Sequence, residues 1–112
     1  TAVLTKISHR EVAAATGYAE DGVIAFPKVN PRAPVHALII PKRGVRRLAA
    51  TTEAGQLLLG KLLLTARLVA ENLDLTQSGY RVVINSGPDA GESVPHLHLH
   101  VLGKRALAWP PG

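Results

Sequence analysis

Three histidines alternate with apolar residues near the end of the chain, in the run 95–102, which reads PHLHLHVL. We predict a strand over 96–102. Because side chains alternate across a strand, His96, His98 and His100 then project from one face and the apolar residues between them enter the core. Next-but-one side chains on a strand lie ~6.6 Å apart. Three imidazoles at that spacing suit a ligand the size of a phosphate group.

Three kinds of site fit this spacing. Neutral imidazoles at alternate strand positions can bind zinc. The histidines can also be ordinary polar residues on the wet face of a sheet. Finally, one imidazole can attack phosphorus while its neighbours bind the phosphate oxygens, as in phosphoryl or nucleotidyl transfer. The spacing alone leaves all three open.

The segment just before the histidines favours a phosphate ligand. Gly87 and Gly91 supply flexible backbone that can aim N–H groups at an anion, and Ser93 adds a hydroxyl donor. A metal site has no need of such a loop. We expect Glu92, beside Ser93, to face solvent.

The elements that must hold these residues give an α+β fold. The pattern predicts a short helix over 3–12, a hairpin whose second strand is 23–26, and further strands at 36–40 and 80–85. A long helix is predicted from an N-cap at Thr51 or Thr52 to Leu73. Its leucines cover more than one side, and a second subunit is the natural cover for the excess.

Length and composition indicate a single domain over 1–112, since the chain has 112 residues of which 46% are hydrophobic. The absence of cysteine excludes disulfides, thiolate zinc sites and a cysteine nucleophile, and it fits a reducing compartment. The first 12 residues lack the apolar stretch of a signal peptide, and the most apolar window, 57–68, is too short and too charged to span a bilayer. We therefore expect a soluble, cytoplasmic protein without membrane contact.

The net charge is +5, and much of the excess lies in one patch of four cationic residues, Lys42, Arg43, Arg46 and Arg47. A basic chain attracts polyanions, so nucleic acid is one partner to weigh. The few aromatic residues are scattered and form no stacking platform for single strands. We interpret the patch as a solvated turn, and we do not expect nucleic acid as a partner.

Beyond the triad, several stretches resemble the histidine triad (HIT) superfamily, and within it the Hint-like branch of nucleotide-binding proteins with purine nucleoside phosphoramidase activity. They are 33–36 (APVH), 39–42 (IIPK), 80–85 (YRVVIN), 91–94 (GESV) and the ending 109–112 (WPPG). The resemblance covers nearly the whole chain. It implies a HIT-like α+β fold, with a five-stranded antiparallel sheet, one long helix and a short N-terminal helix. It also implies a homodimer in which two sheets join into one of ten strands.

The resemblance also implies roles for individual residues, without metal or cofactor. His98 would attack the α-phosphorus and form a nucleotidyl-histidine intermediate that water then hydrolyses. The other catalytic residues would be His100, His96, His36 and Ser93. The nucleotide-binding residues would be Asn85, Gly91, Val94, Val3, Leu4, Ile7, Phe26, Lys28, Val29 and Trp109, the last reaching toward the partner subunit's site.

The sequence departs from the family pattern at two positions. Lys28 stands where the family has an aspartate that binds both ribose hydroxyls, and lysine can only donate. Pro95 stands where the family usually has an aromatic residue. The expected activity is hydrolysis of the P–N bond of nucleoside 5′-phosphoramidates. The alternatives are a dinucleoside polyphosphate hydrolase and a nucleotide-binding interaction module without catalysis.

Overall fold

A computed structural model of the chain describes residues 19–20, 22–27 and 32–112, with only the backbone described at 19–20. The helix predicted over 3–12 lies outside these residues. So do five of the predicted nucleotide-binding residues, namely Val3, Leu4, Ile7, Lys28 and Val29.

The described part of the chain forms a five-stranded antiparallel sheet in the order β1-β2-β3-β5-β4. β1 has two residues, so the other four strands make most of the sheet. The strands are β1 (Ala19–Glu20), β2 (Val23–Pro27), β3 (Val35–Pro41), β4 (Tyr80–Val83) and β5 (Leu99–Gly103). The predicted α+β class and the antiparallel hairpin are confirmed.

The last strand is shorter than its sequence predicts. A strand over 96–102 was expected, but β5 begins only at Leu99, so His96 and His98 precede it. The reason is local. The His96 N–H bonds the Val94 carbonyl in a turn, and the Leu97 N–H bonds the Val45 carbonyl instead of a strand partner.

The long helix, α1 (Gln56–Asn72), begins later than predicted and follows two 3₁₀ turns at Leu48–Ala50 and Glu53–Gly55. The prediction of Thr51 or Thr52 as its N-cap is wrong. The Thr51 hydroxyl donates to the Leu48 carbonyl behind it, and Gly55 occupies the cap position. In the described part of the chain, no helix has the length and apolar content needed to cross a bilayer.

The sheet has two different faces, because alternate residues of each strand point in opposite directions. One face packs against α1 in the main core, whose members include Ala25, Ile39, Leu99 and Val101 from the strands and Leu62, Ala66, Val69 and Ala70 from the helix. The opposite face carries a smaller apolar cluster of Ile24, Phe26, Leu38 and Ile40, with Val94 packed on it. The helix thus covers only one face of the sheet, and the face with the Ile24 cluster is the other one.

Candidate functional site

The strand register brings two histidines together on the face opposite α1. In the β3–β5 pair, Leu38 lies opposite His100 and His36 lies opposite Leu102, so His36 and His100 are diagonal neighbours. Their ring centroids are 5.1 Å apart, and His36 Nε2 lies 2.9 Å from His100 Nδ1. The predicted partnership of His36 with the triad strand is therefore present as a direct hydrogen bond.

The alternation predicted for the triad continues ahead of the strand. Leu97, Leu99 and Val101 are buried in the main core, while the three histidines between and before them are half-buried. His98 lies beside His100, with ring centroids 4.9 Å apart and the planes at 64°. The apolar residues thus fix the segment from beneath, and His98 lies in the same ring cluster as His100 and His36.

Hydrogen bonding assigns the proton of His98. Its Nδ1 lies 2.7 Å from the His96 carbonyl oxygen, which can only accept a hydrogen bond. Nδ1 must therefore carry the proton, and in the neutral ring Nε2 keeps its lone pair. This is the tautomer that a nucleophilic imidazole requires.

A second chain of hydrogen bonds orients His36 and His100. The Arg32 backbone N–H donates to His36 Nδ1 over 2.8 Å, so the proton of the neutral His36 ring is on Nε2. That proton is donated to His100 Nδ1, and the proton of the neutral His100 ring is then on Nε2. The network makes His36 a group that fixes the ring and tautomer of His100.

His96 has a different setting from the other histidines. Its Nε2 lies 3.2 Å from the Pro41 carbonyl oxygen, at the end of β3, and therefore acts as a donor. The ring contacts among the described histidines join His36 to His100 and His98 to His100. His96 contributes its carbonyl to His98 and ties the segment to β3.

The glycine-rich loop before the triad turns sharply at two left-handed positions. Gly87 has φ 93° and Gly91 has φ 77°, on either side of a 3₁₀ turn at Pro88–Ala90. Only glycine adopts such angles without strain. After the loop, Ser93 is exposed and Val94 packs on the Ile24 cluster.

Glu92 does not face solvent as expected, because Arg47 holds it. Arg47 Nε lies 2.9 and 3.1 Å from the two carboxylate oxygens, and Nη2 lies 2.9 Å from Oε2. The Glu92 side chain is 8% exposed. The hydrogen bonds from Arg47 and from the Gly87 N–H lower the pKa of Glu92 to about 2, against the opposing effect of burial. The same pair raises the pKa of Arg47.

The other described residues of the predicted site differ in their exposure and surroundings. Phe26 is 3% exposed within the Ile24 cluster, and Asn85 is half-buried two residues after β4. Trp109, in the C-terminal tail, is 80% exposed, and the Arg81 guanidinium carbon lies over its ring, 5.9 Å from the centroid. Arg81 also donates to the Leu107 carbonyl, which fixes the tail beside β4.

Comparison with known proteins identifies the family of this chain. The sequence model of the HIT domain family matches residues 9–107. The chain belongs to the HIT family. It is 50% identical over 110 residues to an uncharacterized HIT-like protein of Synechococcus elongatus, covering 98% of this chain and 96% of that one. It is 45% identical over 112 residues to a 14 kDa zinc-binding protein of Zea mays, covering 98% and 87%.

A solved structure has the same fold. A HIT family hydrolase from Legionella pneumophila superimposes with a TM-score of 0.90 at 35% identity, covering 98% of each chain. The HIT fold expected from the sequence is therefore confirmed at the level of the protomer. Among residues 22–27 and 32–112, no group of three or more His, Cys, Asp or Glu side chains is arranged to hold a metal ion.

Two contributions to this HIT site were missed in the sequence. The Arg32 backbone N–H orients His36, and a main-chain donor leaves no trace in residue type. The Arg47–Glu92 pair joins residues 45 positions apart, and Arg47 was interpreted only as part of a solvated turn. The one available signal was Glu92, an acidic residue inside a loop predicted to bind an anion, because its charge calls for a neighbouring cation.

Proposed function

We propose that the protein hydrolyses nucleoside 5′-phosphoramidates through a covalent nucleotidyl-histidine intermediate on His98. One observation carries the proposal, namely the 2.7 Å hydrogen bond from His98 Nδ1 to the His96 carbonyl, which leaves Nε2 with a lone pair. Membership of the HIT family and the likeness to a HIT family hydrolase support hydrolysis as the reaction class.

In the first step, Nε2 of His98 forms a bond to the α-phosphorus and the P–N bond breaks. The electron pair of that bond stays on the leaving nitrogen, which takes a proton and departs as an amine. We assign the proton to the His96 imidazolium or to the Ser93 hydroxyl. The Nδ1–H to carbonyl bond stabilises the positive charge that develops on the His98 ring.

In the second step, water attacks the phosphorus and the Nε2–P bond breaks, returning its electron pair to Nε2. The products are the amine and a nucleoside monophosphate, and a water proton restores the donor used in the first step. Neutral His100, held by His36, donates from Nε2 to a phosphate oxygen. The loop backbone at Gly91 and Val94 and the Ser93 hydroxyl bind the other oxygens.

For the nucleoside, we assign the apolar cluster around Phe26, together with Val3, Leu4, Ile7 and Val29, to the purine base. Asn85 would bond near the ribose–phosphate link. Lys28 replaces an acceptor with a donor, and we assign it to an extra phosphate of the ligand. The alternatives are that Asn30 takes over part of the ribose contact, or that nucleoside affinity is weak. This substitution favours one second candidate, hydrolysis of dinucleoside polyphosphates, whose additional phosphates a lysine would bind.

We also propose a homodimer. Leu57, Leu63 and Leu64 on the helix α1 are exposed in the protomer, at 78%, 54% and 57%. β4 is an edge strand of the described sheet, so pairing of two β4 strands would give ten strands. In such an assembly the exposed Trp109 would reach the partner's site and shape its leaving-group side.

Steady-state kinetics test the proposed activity. Wild type should turn over adenosine 5′-phosphoramidate with a higher kcat/KM than a dinucleoside polyphosphate. His98→Ala should lose on the order of 5 kcal/mol or more of transition-state stabilisation while remaining folded. Unchanged turnover in that variant would disprove nucleophilic catalysis by His98. Tight nucleotide binding without turnover in wild type would favour an interaction module instead.

A further inference from the structure

The Arg47–Glu92 pair has a geometry that a chance surface contact lacks. The guanidinium donates hydrogen bonds to both carboxylate oxygens, with three N–O distances between 2.9 and 3.1 Å. Such a two-point contact fixes orientation as well as separation, which a single surface ion pair does not. The carboxylate is also largely withdrawn from solvent, at 8% exposure.

The same carboxylate closes the glycine-rich loop. The Gly87 N–H donates to Glu92 Oε1 over 2.9 Å, and the Glu92 N–H donates to the Gly87 carbonyl over 3.2 Å. The first and last residues of the turn are therefore bonded to each other through both backbone and side chain. Since Gly91 and Ser93 flank Glu92, fixing its side chain fixes the backbone on which they sit.

Arg47 itself lies in a segment that is bonded to both parts of the site. The Val45 carbonyl accepts the Leu97 N–H, one residue before His98. The Ala49 N–H donates to the Ser86 hydroxyl over 3.2 Å, at the start of the loop. Residues 45–49 thus connect the nucleophile segment to the loop, and the Arg47–Glu92 pair is the central connection.

The pair also solves an electrostatic problem. A carboxylate beside a phosphate-binding loop would repel the ligand, and Glu92 remains ionised because its pKa is about 2. The facing guanidinium cancels that charge. Without Arg47 the loop would hold an uncompensated negative charge next to the place assigned to phosphate.

We propose that Arg47 and Glu92 are a positioning pair for phosphate binding, which sets the Gly87–Val94 loop against His98 and neutralises the charge of Glu92. The pair touches no reacting atom in this scheme and acts through the loop backbone. The inference rests on the proposed function, because it assigns the loop to a phosphate group of the substrate.

Arg47→Gln tests the pair, with Arg46→Gln as the matched control that removes the same charge from the neighbouring, exposed residue. A loop displaced by about 1 Å costs on the order of 100-fold in rate, so we expect Arg47→Gln to lower kcat/KM by about 10- to 100-fold. Arg46→Gln should stay within about 2-fold of wild type. Equal effects of the two variants, or no effect of either, would overturn the proposal.

A double-mutant cycle separates positioning from general damage. Glu92→Gln retains an acceptor for the Gly87 N–H and removes the ion pair together with the carboxylate charge, so it should lower kcat/KM in the same direction as Arg47→Gln but by less, because no uncompensated charge remains. The double variant should be no worse than the poorer single variant, since both remove one interaction. Additive losses would contradict the proposal. Should Arg47→Gln fail to fold, comparing Glu92→Gln with Arg46→Gln still tests the pair, because only Glu92→Gln removes the contact.

Binding of adenosine 5′-monophosphate and amide hydrogen exchange at Gly91 provide readouts without turnover. Arg47→Gln should weaken nucleotide binding and speed exchange at Gly91, while Arg46→Gln should do neither. If wild type fails to cleave any phosphoramidate but these differences remain, the proposed reaction is wrong and the positioning pair stands. If wild type is active and neither readout changes, the pair is wrong and the reaction stands.

Discussion

The two faces of the sheet are built from the same strands but carry different kinds of residues. In β3, Ala37 and Ile39 point to the helix side, whereas His36 and Leu38 point to the other. The helix side is a continuous apolar core. The opposite side combines a small apolar cluster with buried or half-buried histidines, each of which has at least one ring nitrogen hydrogen-bonded to a specific partner. One-residue alternation thus separates the residues that stabilise the fold from those assigned to chemistry.

Substitutions on the two faces should therefore have different effects. A substitution on the helix side removes buried apolar contacts, so it should change the free energy of unfolding. A substitution in the histidine cluster removes hydrogen bonds in a partly open region and should change the reaction instead. The two effects should be separable in this small protein.

Leu62→Ala should have the largest effect on stability. Leu62 is 1% exposed between α1 and the sheet, so we expect a loss of about 2–5 kcal/mol in the free energy of unfolding. Below its melting temperature the variant should keep the wild-type kcat/KM. Denaturant unfolding and kinetics at low temperature measure the two quantities.

Leu64→Ala is the matched control on the same helix. Leu64 is exposed in the protomer, so the variant should lose little free energy of unfolding as a monomer. In the proposed homodimer the loss should grow with protein concentration, because only the associated form buries this side chain. Equal losses of unfolding free energy in the two variants at every protein concentration would show that Leu62 and Leu64 do not differ as core and interface residues.

Glu92, on the histidine side, should make the stability of the protein depend on pH in acid, and this effect should be smaller than that of Leu62→Ala. The main core is apolar, whereas the histidine side is bounded by Glu92, whose pKa falls from 4.5 to about 2 on folding. A lowered carboxyl pKa contributes stability above pH 4.5, and this contribution is lost as the pH falls toward 2. Arg47 is the main cause of the lower pKa, with Gly87 next and Arg46 last.

Melting temperatures measured from pH 6 down to pH 2 check this prediction. Wild type should be more stable than Glu92→Gln at neutral pH, and the difference should narrow below about pH 4.5. Parallel curves would show that the carboxylate has the same pKa in the folded and unfolded chain. All other acidic groups are shared by the two proteins and cancel in the comparison.

The sequence predicted the fold well because its signals are periodic. Alternation over 96–101 correctly placed the leucines and Val101 in the core, and the apolar excess of 57–68 anticipated exposed leucines on α1. Boundaries were less predictable. Pro95 and the turn at Val94–His96 delay β5, and such a local backbone bond competes with strand pairing without changing the alternation.

The site was only partly predictable for a related reason. Residue types pointed to the histidines, but the tautomers depend on carbonyl and N–H groups that every residue possesses, such as those of His96 and Arg32. The Arg47–Glu92 pair depends on tertiary contact across 45 residues, which spacing alone cannot reveal.

Trapping the covalent intermediate shows whether His98 is the nucleophile. Wild-type protein mixed with adenosine 5′-phosphoramidate, quenched under denaturing alkaline conditions and cleaved with trypsin, gives a peptide spanning 82–104 that holds all three triad histidines. We predict that mass spectrometry finds one adenosine monophosphate group on this peptide, and that fragmentation assigns it to His98. An adduct on His96 or His100 during turnover, or turnover with His98 never modified, would show that His98 is not the nucleophile.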